Sequence, residues 1–115
     1  MKTRVNVMIA GVLALAFAGP VAADKVEDGK VLYKEHCKMC HDAGSANGEY
    51  TPMDLIQDQW RRFFERKYVR THKDVIDEKH GGKPVTETIT PEQLELIEGF
   101  TIKGAADSEH PMTCG

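Results

Sequence analysis

Apolar residues recur at helical spacing in three stretches of this chain. Between residues 25 and 40, Val26, Gly29, Tyr33, His36/Cys37 and Cys40 share one face, which predicts a helix with its cysteines turned toward a core. Gly29 inside a helix costs about 1 kcal/mol against alanine, so another backbone is expected to pass close to it. Residues 42–50, with Ala43-Gly44-Ser45-Ala46-Asn47-Gly48, read as a loop. Thr51-Pro52-Met53-Asp54 then predicts a helix start, with Thr51 as cap and Pro52 in the first turn.

Leu55, Ile56, Trp60, Phe63, Phe64 and Tyr68 follow on one face, which continues through His72, Val75 and Ile76. Gln57, Asp58, Arg61, Arg62, Glu65 and Arg66 occupy the other and read as a solvated face. The pattern predicts one long amphipathic helix or two shorter ones, stopping by His80-Gly81-Gly82. After a predicted loop over 83–88, Thr90-Pro91-Glu92-Gln93 combines an N-cap, a first-turn proline and a capping-box glutamine. Leu94, Leu96, Ile97 and Phe100 give that helix its apolar side, and Gly104 its stop. Residues 105–115 have no period, and no stretch alternates as a strand does. The expected fold class is all-α.

The apolar run at residues 7–18 is different in kind. It follows Lys2 and Arg4 and precedes Val21-Ala22-Ala23, the layout of a secretory signal peptide cut after Ala23. The run is too short to span a bilayer, which takes about 20 residues. Residues 1–23 are thus expected to be a cleaved signal and residues 24–115 one exported domain, periplasmic in a bacterium, with no integral membrane span. Losing Lys2 and Arg4 takes the formal net charge from −3 to −5, which argues against a nucleic-acid partner. A domain this small is marginal for a self-supporting core, so a buried prosthetic group would supply useful apolar volume.

Of three cysteines, two lie in Cys37-Lys38-Met39-Cys40-His41, the attachment pattern of a c-type haem. Each thiol can add to one haem vinyl group, and the histidine can then reach the iron. Zinc held by these residues with Cys114 is a remote alternative that leaves the aromatic-rich stretch unexplained. A thioredoxin-like pair would need a βαβ pattern, which is absent. Cys114 is left over, as a free thiol or for a disulfide-linked dimer.

With Gly29-Lys30-Val31-Leu32-Tyr33 ahead of the pentapeptide, the chain resembles the small monohaem class I-like c-type cytochromes. The resemblance implies a small helical domain wrapped around one covalent haem c. Cys37 and Cys40 would form the thioethers, and His41 the proximal iron ligand. It also implies that the last helix crosses the first at Gly29, with Phe100 as the aromatic residue there. Thr51-Pro52-Met53-Asp54-Leu55 loosely resembles the family's proline loop, whose proline carbonyl accepts a hydrogen bond from the proximal histidine. Residues 81–90, where the family usually supplies a methionine ligand, contain none. The candidates for the sixth ligand are His72 first, on an apolar face, then His80, among charged residues, and Met112 in the tail.

The functional expectation is a one-electron carrier between redox proteins, with Lys34 and Lys38 among the charges near the haem edge. The alternative is a haem sensor or ligand-binding protein with a weak or open sixth position. No catalytic motif beyond the haem pentapeptide is present, so no enzyme activity is expected.

Overall fold

The computed structural model describes Gly11 and residues 21–112. Most of the expected signal segment, and Cys114, lie outside the described residues.

Helix α1 (Val21–Leu32) runs through a widened π-helical turn (Tyr33–Cys37) into α2 (Lys38–His41). The first and last helices pack because Gly29 lacks a side chain. A Cβ built there would stand 2.2 Å from the Leu96 carbonyl oxygen and 2.9 Å from the Phe100 Cβ. Phe100 and Ile97 are wholly buried at this crossing, and the Tyr33 ring tilts against Phe100 with centroids 5.4 Å apart. The last helix, α6 (Pro91–Lys103), begins as its sequence predicts. The Thr90 hydroxyl accepts from the Gln93 N–H at 3.2 Å, and the Gln93 side chain accepts from the Thr90 N–H at 2.9 Å. Gly104 caps its other end.

The middle of the chain differs from expectation. Thr51 does not open an α-helix: its N–H bonds the Asp54 carboxylate at 2.5 Å and closes a 3-10 turn over Pro52–Asp54. Ile56 is extended, and α3 (Gln57–Arg62) starts afresh beyond it, the Gln59 side chain accepting from the Ile56 N–H at 3.0 Å. A second π-helical turn (Phe63–Lys67) leads into α4 (Tyr68–His72). There the helix stops, well short of His80. Val75 and Ile76, expected on the buried face, are exposed, and Asp77 is buried in their place at 1% exposure.

The cause is a competing set of hydrogen bonds. Strands β1 (Ile76–Asp77) and β2 (Lys83–Pro84) pair antiparallel, Ile76 opposite Pro84 and Asp77 opposite Lys83. The Asp77 carboxylate accepts from the His80 backbone and ring and from the Thr88 hydroxyl. A carboxylate with that many donors can be buried where a bare one cannot. The stretch expected as loop after Lys83 contains α5 (Val85–Thr88), and Val85 and Ile89 join Tyr33, Ile97 and Phe100 in the core. Two strands of two residues leave the architecture all-helical. The aperiodic tail is also packed: Ala105 is wholly buried, and the Met112 N–H bonds the Gly104 carbonyl at 2.9 Å.

Candidate haem site

Helix α2 ends at His41, and the next nine residues fold back over it. The Ser45 N–H bonds the Asp42 carbonyl at 3.0 Å, the Ser45 hydroxyl bonds the Cys40 carbonyl, and the Tyr50 N–H returns to the His41 carbonyl at 3.1 Å. Tyr33 fixes the far end of this loop through its hydroxyl, 2.5 Å from the Tyr50 carbonyl. Inside the loop, His41 Nδ1 lies 3.0 Å from the Gly48 carbonyl oxygen. A carbonyl only accepts, so Nδ1 carries the proton and Nε2 keeps its lone pair, the tautomer a metal-binding histidine needs.

The proline of the expected loop serves elsewhere: the Pro52 carbonyl accepts from the Trp60 indole N–H at 2.8 Å, in a buried position. Gly48 takes over its expected role, and it does so at φ +89°, a conformation that side chains resist. Gly48→Ala is expected to cost about 1–2 kcal/mol from the left-handed backbone alone. The new Cβ would also lie 3.1 Å from the Tyr50 ring. Denaturant unfolding of the oxidised protein measures the loss.

His72 closes α4 opposite His41. Its Nδ1 sits 2.9 Å from the Tyr68 carbonyl, which again places the proton on Nδ1 and frees Nε2. The two imidazole centroids are 6.1 Å apart at an interplanar angle of 63°. Imidazole nitrogens bind first-row metals at about 2.0–2.1 Å, which puts two rings on opposite sides of one ion about 6 Å apart, centre to centre. Burial, opposed by the bond to the Tyr68 carbonyl, holds His72 below the usual imidazole value, and the neighbouring His41 pushes the same way. Neutral imidazole is the ligating form. Aromatic rings wall the place: Tyr68 stacks on His72 at 5.0 Å, Phe63 meets it edge-on at 6.0 Å, and Tyr50 meets His41 edge-on at 5.2 Å.

Cys37 and Cys40 are half-buried on the neighbouring turns, Cys37 against the core. The Tyr68 hydroxyl is buried without a hydrogen-bond partner, and burial together with the nearby Cys37 thiol pushes its ionisation up to about 12.

The cytochrome c family profile matches residues 26–100, and the span takes in the pentapeptide, His72 and α6 up to Phe100. The chain belongs to the cytochrome c family. Its cofactor is covalently attached haem c. Other similarities are more distant. The chain is 29% identical over 68 residues to the ATP-dependent Clp protease adapter protein ClpS of Escherichia coli O1:K1 / APEC, Citrobacter koseri and Erwinia tasmaniensis. That alignment covers 59% of this chain and 64% of the relative. The chain thus spans less than two thirds of the length of these curated relatives. No solved structure matches.

The residues of this cytochrome fit a haem on three observations. Two thiols stand at the right spacing, two imidazoles lie 6.1 Å apart centre to centre with each Nδ1 held by a backbone carbonyl, and a buried tyrosine hydroxyl beside Cys37 lacks a partner. The other sixth-ligand candidates are engaged elsewhere. Both ring nitrogens of His80 are occupied, Nδ1 by Asp77 at 2.9 Å and Nε2 by Glu35 at 3.2 Å, and its ring stacks on His36 rather than facing His41. Met112 lies half-buried against the core, its side chain over Gly104. Among the described residues no helix is long and apolar enough to cross a membrane.

The pattern of the sequence missed one group altogether. Asp77, one of the charged residues around His80 in sequence, is buried among His36, His80 and Thr88. Its charged neighbours in sequence masked this. The available signal was His36, which follows Gly29 and Tyr33 at helical spacing and so points inward.

Proposed function

We propose that Cys37 and Cys40 hold the haem as thioethers, that His41 and His72 are its axial ligands, and that the protein carries single electrons between redox proteins outside the cytoplasm. The observation that carries this reading is the pair of imidazoles 6.1 Å apart centre to centre, each with Nδ1 tied to a backbone carbonyl. Bound haem supplies a one-electron iron couple whose potential follows the axial ligands, two imidazoles setting it lower than imidazole with methionine. The protein's part is to hold both rings in place. The Gly48 and Tyr68 carbonyls fix the tautomers, raise the basicity of each Nε2 and limit ring rotation. With His41 and His72 both holding the iron, no position would be left open for a substrate, which favours a carrier over a sensor. The rings of Tyr50, Phe63 and Tyr68 would help shield the haem from water, and Lys34 and Lys38 flank the pentapeptide, where a redox partner would approach.

Export rests on the signal-like residues 1–23 and fits a cofactor attached outside the cytoplasm. Cys114 is proposed as a thiol open to an inter-chain disulfide. The likeness to the Clp protease adapters offers no account of the pentapeptide or of the paired histidines, so it adds no second reading.

Two measurements test the proposal. Intact mass should equal residues 24–115 plus one haem, and the reduced protein's spectrum should not change under carbon monoxide. Rapid carbon monoxide binding by the unmodified protein would favour the ligand-binding alternative.

A further inference from the structure

A second group of histidine and carboxylate side chains lies at the turn that precedes the pentapeptide helix. Glu35 and His36 are consecutive in the π-helical turn, a distortion found more often at functional sites than elsewhere in helices. His80 reaches them from the 3-10 turn Glu78–His80. Each of the three residues offers a ligand atom, and those atoms lie within 4.8 Å of one another. The His36 and His80 rings are 4.5 Å apart, centre to centre. Two imidazoles on adjacent positions of one first-row ion, bound at about 2.0–2.1 Å, have centres roughly 5 Å apart.

Two details point to a cation. His80 Nδ1 faces the Asp77 carboxylate at 2.9 Å and therefore carries a proton, which turns Nε2 toward Glu35 Oε1 at 3.2 Å. A lone pair and a carboxylate oxygen cannot face each other bare; either a proton or a metal ion must lie between them. Independently, His36 is 93% buried, yet its Nδ1 has no hydrogen-bond partner and lies 3.9 Å from Asp77 Oδ2, the carboxylate that also holds His80. A buried imidazole nitrogen left without a partner is costly. A carboxylate behind a histidine that turns its other nitrogen outward is the usual support of a metal-bound imidazole. The cluster opens to solvent through a cleft lined by Lys34, Lys38, Met39, Asp42 and Lys79. Three lysines there stand against Asp42, Glu35 and Asp77, so the site is close to neutral before an ion enters.

We propose that Glu35, His36 and His80 form a binding site for a divalent transition-metal ion, with Asp77 holding His80 in the ligating tautomer. Two imidazoles and a carboxylate suit Zn²⁺ and its neighbours, with solvent reaching the remaining position through the cleft. Binding displaces the proton between His80 and Glu35, so affinity rises with pH. The site shares no residue with His41 and His72, and the proposal rests on the reading above in which His80 is not the sixth iron ligand.

The test uses the full haem-loaded protein, stripped with chelator and titrated with ZnCl₂ by calorimetry. One zinc per chain is expected. Glu35→Gln changes an exposed side chain and leaves the fold intact; His80→Asn removes the central ligand while keeping a donor toward Asp77. Each should weaken zinc binding about 10–100-fold. Failure of the unmodified protein to take up zinc, or wild-type affinity in either variant, would overturn the proposal.

Discussion

Replacing His72 with alanine is expected to turn a protein that ignores carbon monoxide into one that binds it rapidly. The reasoning is local. Among the described residues, His72 is the imidazole whose ring lies 6.1 Å from that of His41, and no other candidate can take its place without dismantling something. His80 would have to leave Asp77 and Glu35, and Met112 would have to leave its seat over Gly104. His72→Ala should therefore show a high-spin ferric spectrum and fast carbon monoxide binding when reduced. His80→Ala and Met112→Ala should both keep the low-spin spectrum. Loss of the low-spin spectrum in either of those, with retention in His72→Ala, would refute the assignment. Stability should fall less than a core truncation costs, because His72 is only half-buried in the fold.

The largest effect on stability is expected at Gly29. Gly29→Ala places a methyl group 2.2 Å from a backbone carbonyl oxygen, an atom that no side-chain rotation can move aside. The first and last helices must separate, and the Tyr33–Phe100 contact opens with them. Overpacking typically costs 1–3 kcal/mol and at backbone contacts more; we expect about 3 kcal/mol or above, against a helix-propensity gain of only about 0.5–1 kcal/mol. For a domain of this size each kcal/mol is worth roughly 4–8 °C in Tm. Gly99→Ala is the control. It lies in α6 with nothing within 4 Å of the added methyl, so it should gain about 0.5–1 kcal/mol. Thermal melts of the two variants should thus move in opposite directions. A Gly29→Ala protein as stable as the parent would mean that the helix crossing does not hold the domain together.

These two residues also show how far the sequence could be read. Gly29 was legible because its cost within a helix demands a nearby backbone, and the Thr90–Gln93 cap was legible because its chemistry is local. The place of His72 against Tyr68 was legible through their helical period. What the period could not reveal is where a longer-range bond interrupts it. Val75 and Ile76 continue the apolar pattern, yet they are exposed. Asp77 draws donors from His80 and Thr88 and pulls the chain into a strand pair. Likewise Gly48, rather than Pro52, accepts from His41. That exchange depends on a positive φ and on Trp60 already occupying the Pro52 carbonyl. The Glu35–His36–His80 cluster joins residues 45 positions apart, a distance over which no local pattern reports.

Electron paramagnetic resonance of the oxidised protein, with its near-infrared spectrum, tests the central claim most directly. Ligation by His41 and His72 predicts a low-spin ferric signal and near-infrared band of the two-imidazole type. A methionine-to-iron charge-transfer band, or a high-spin signal from an open iron, would contradict it.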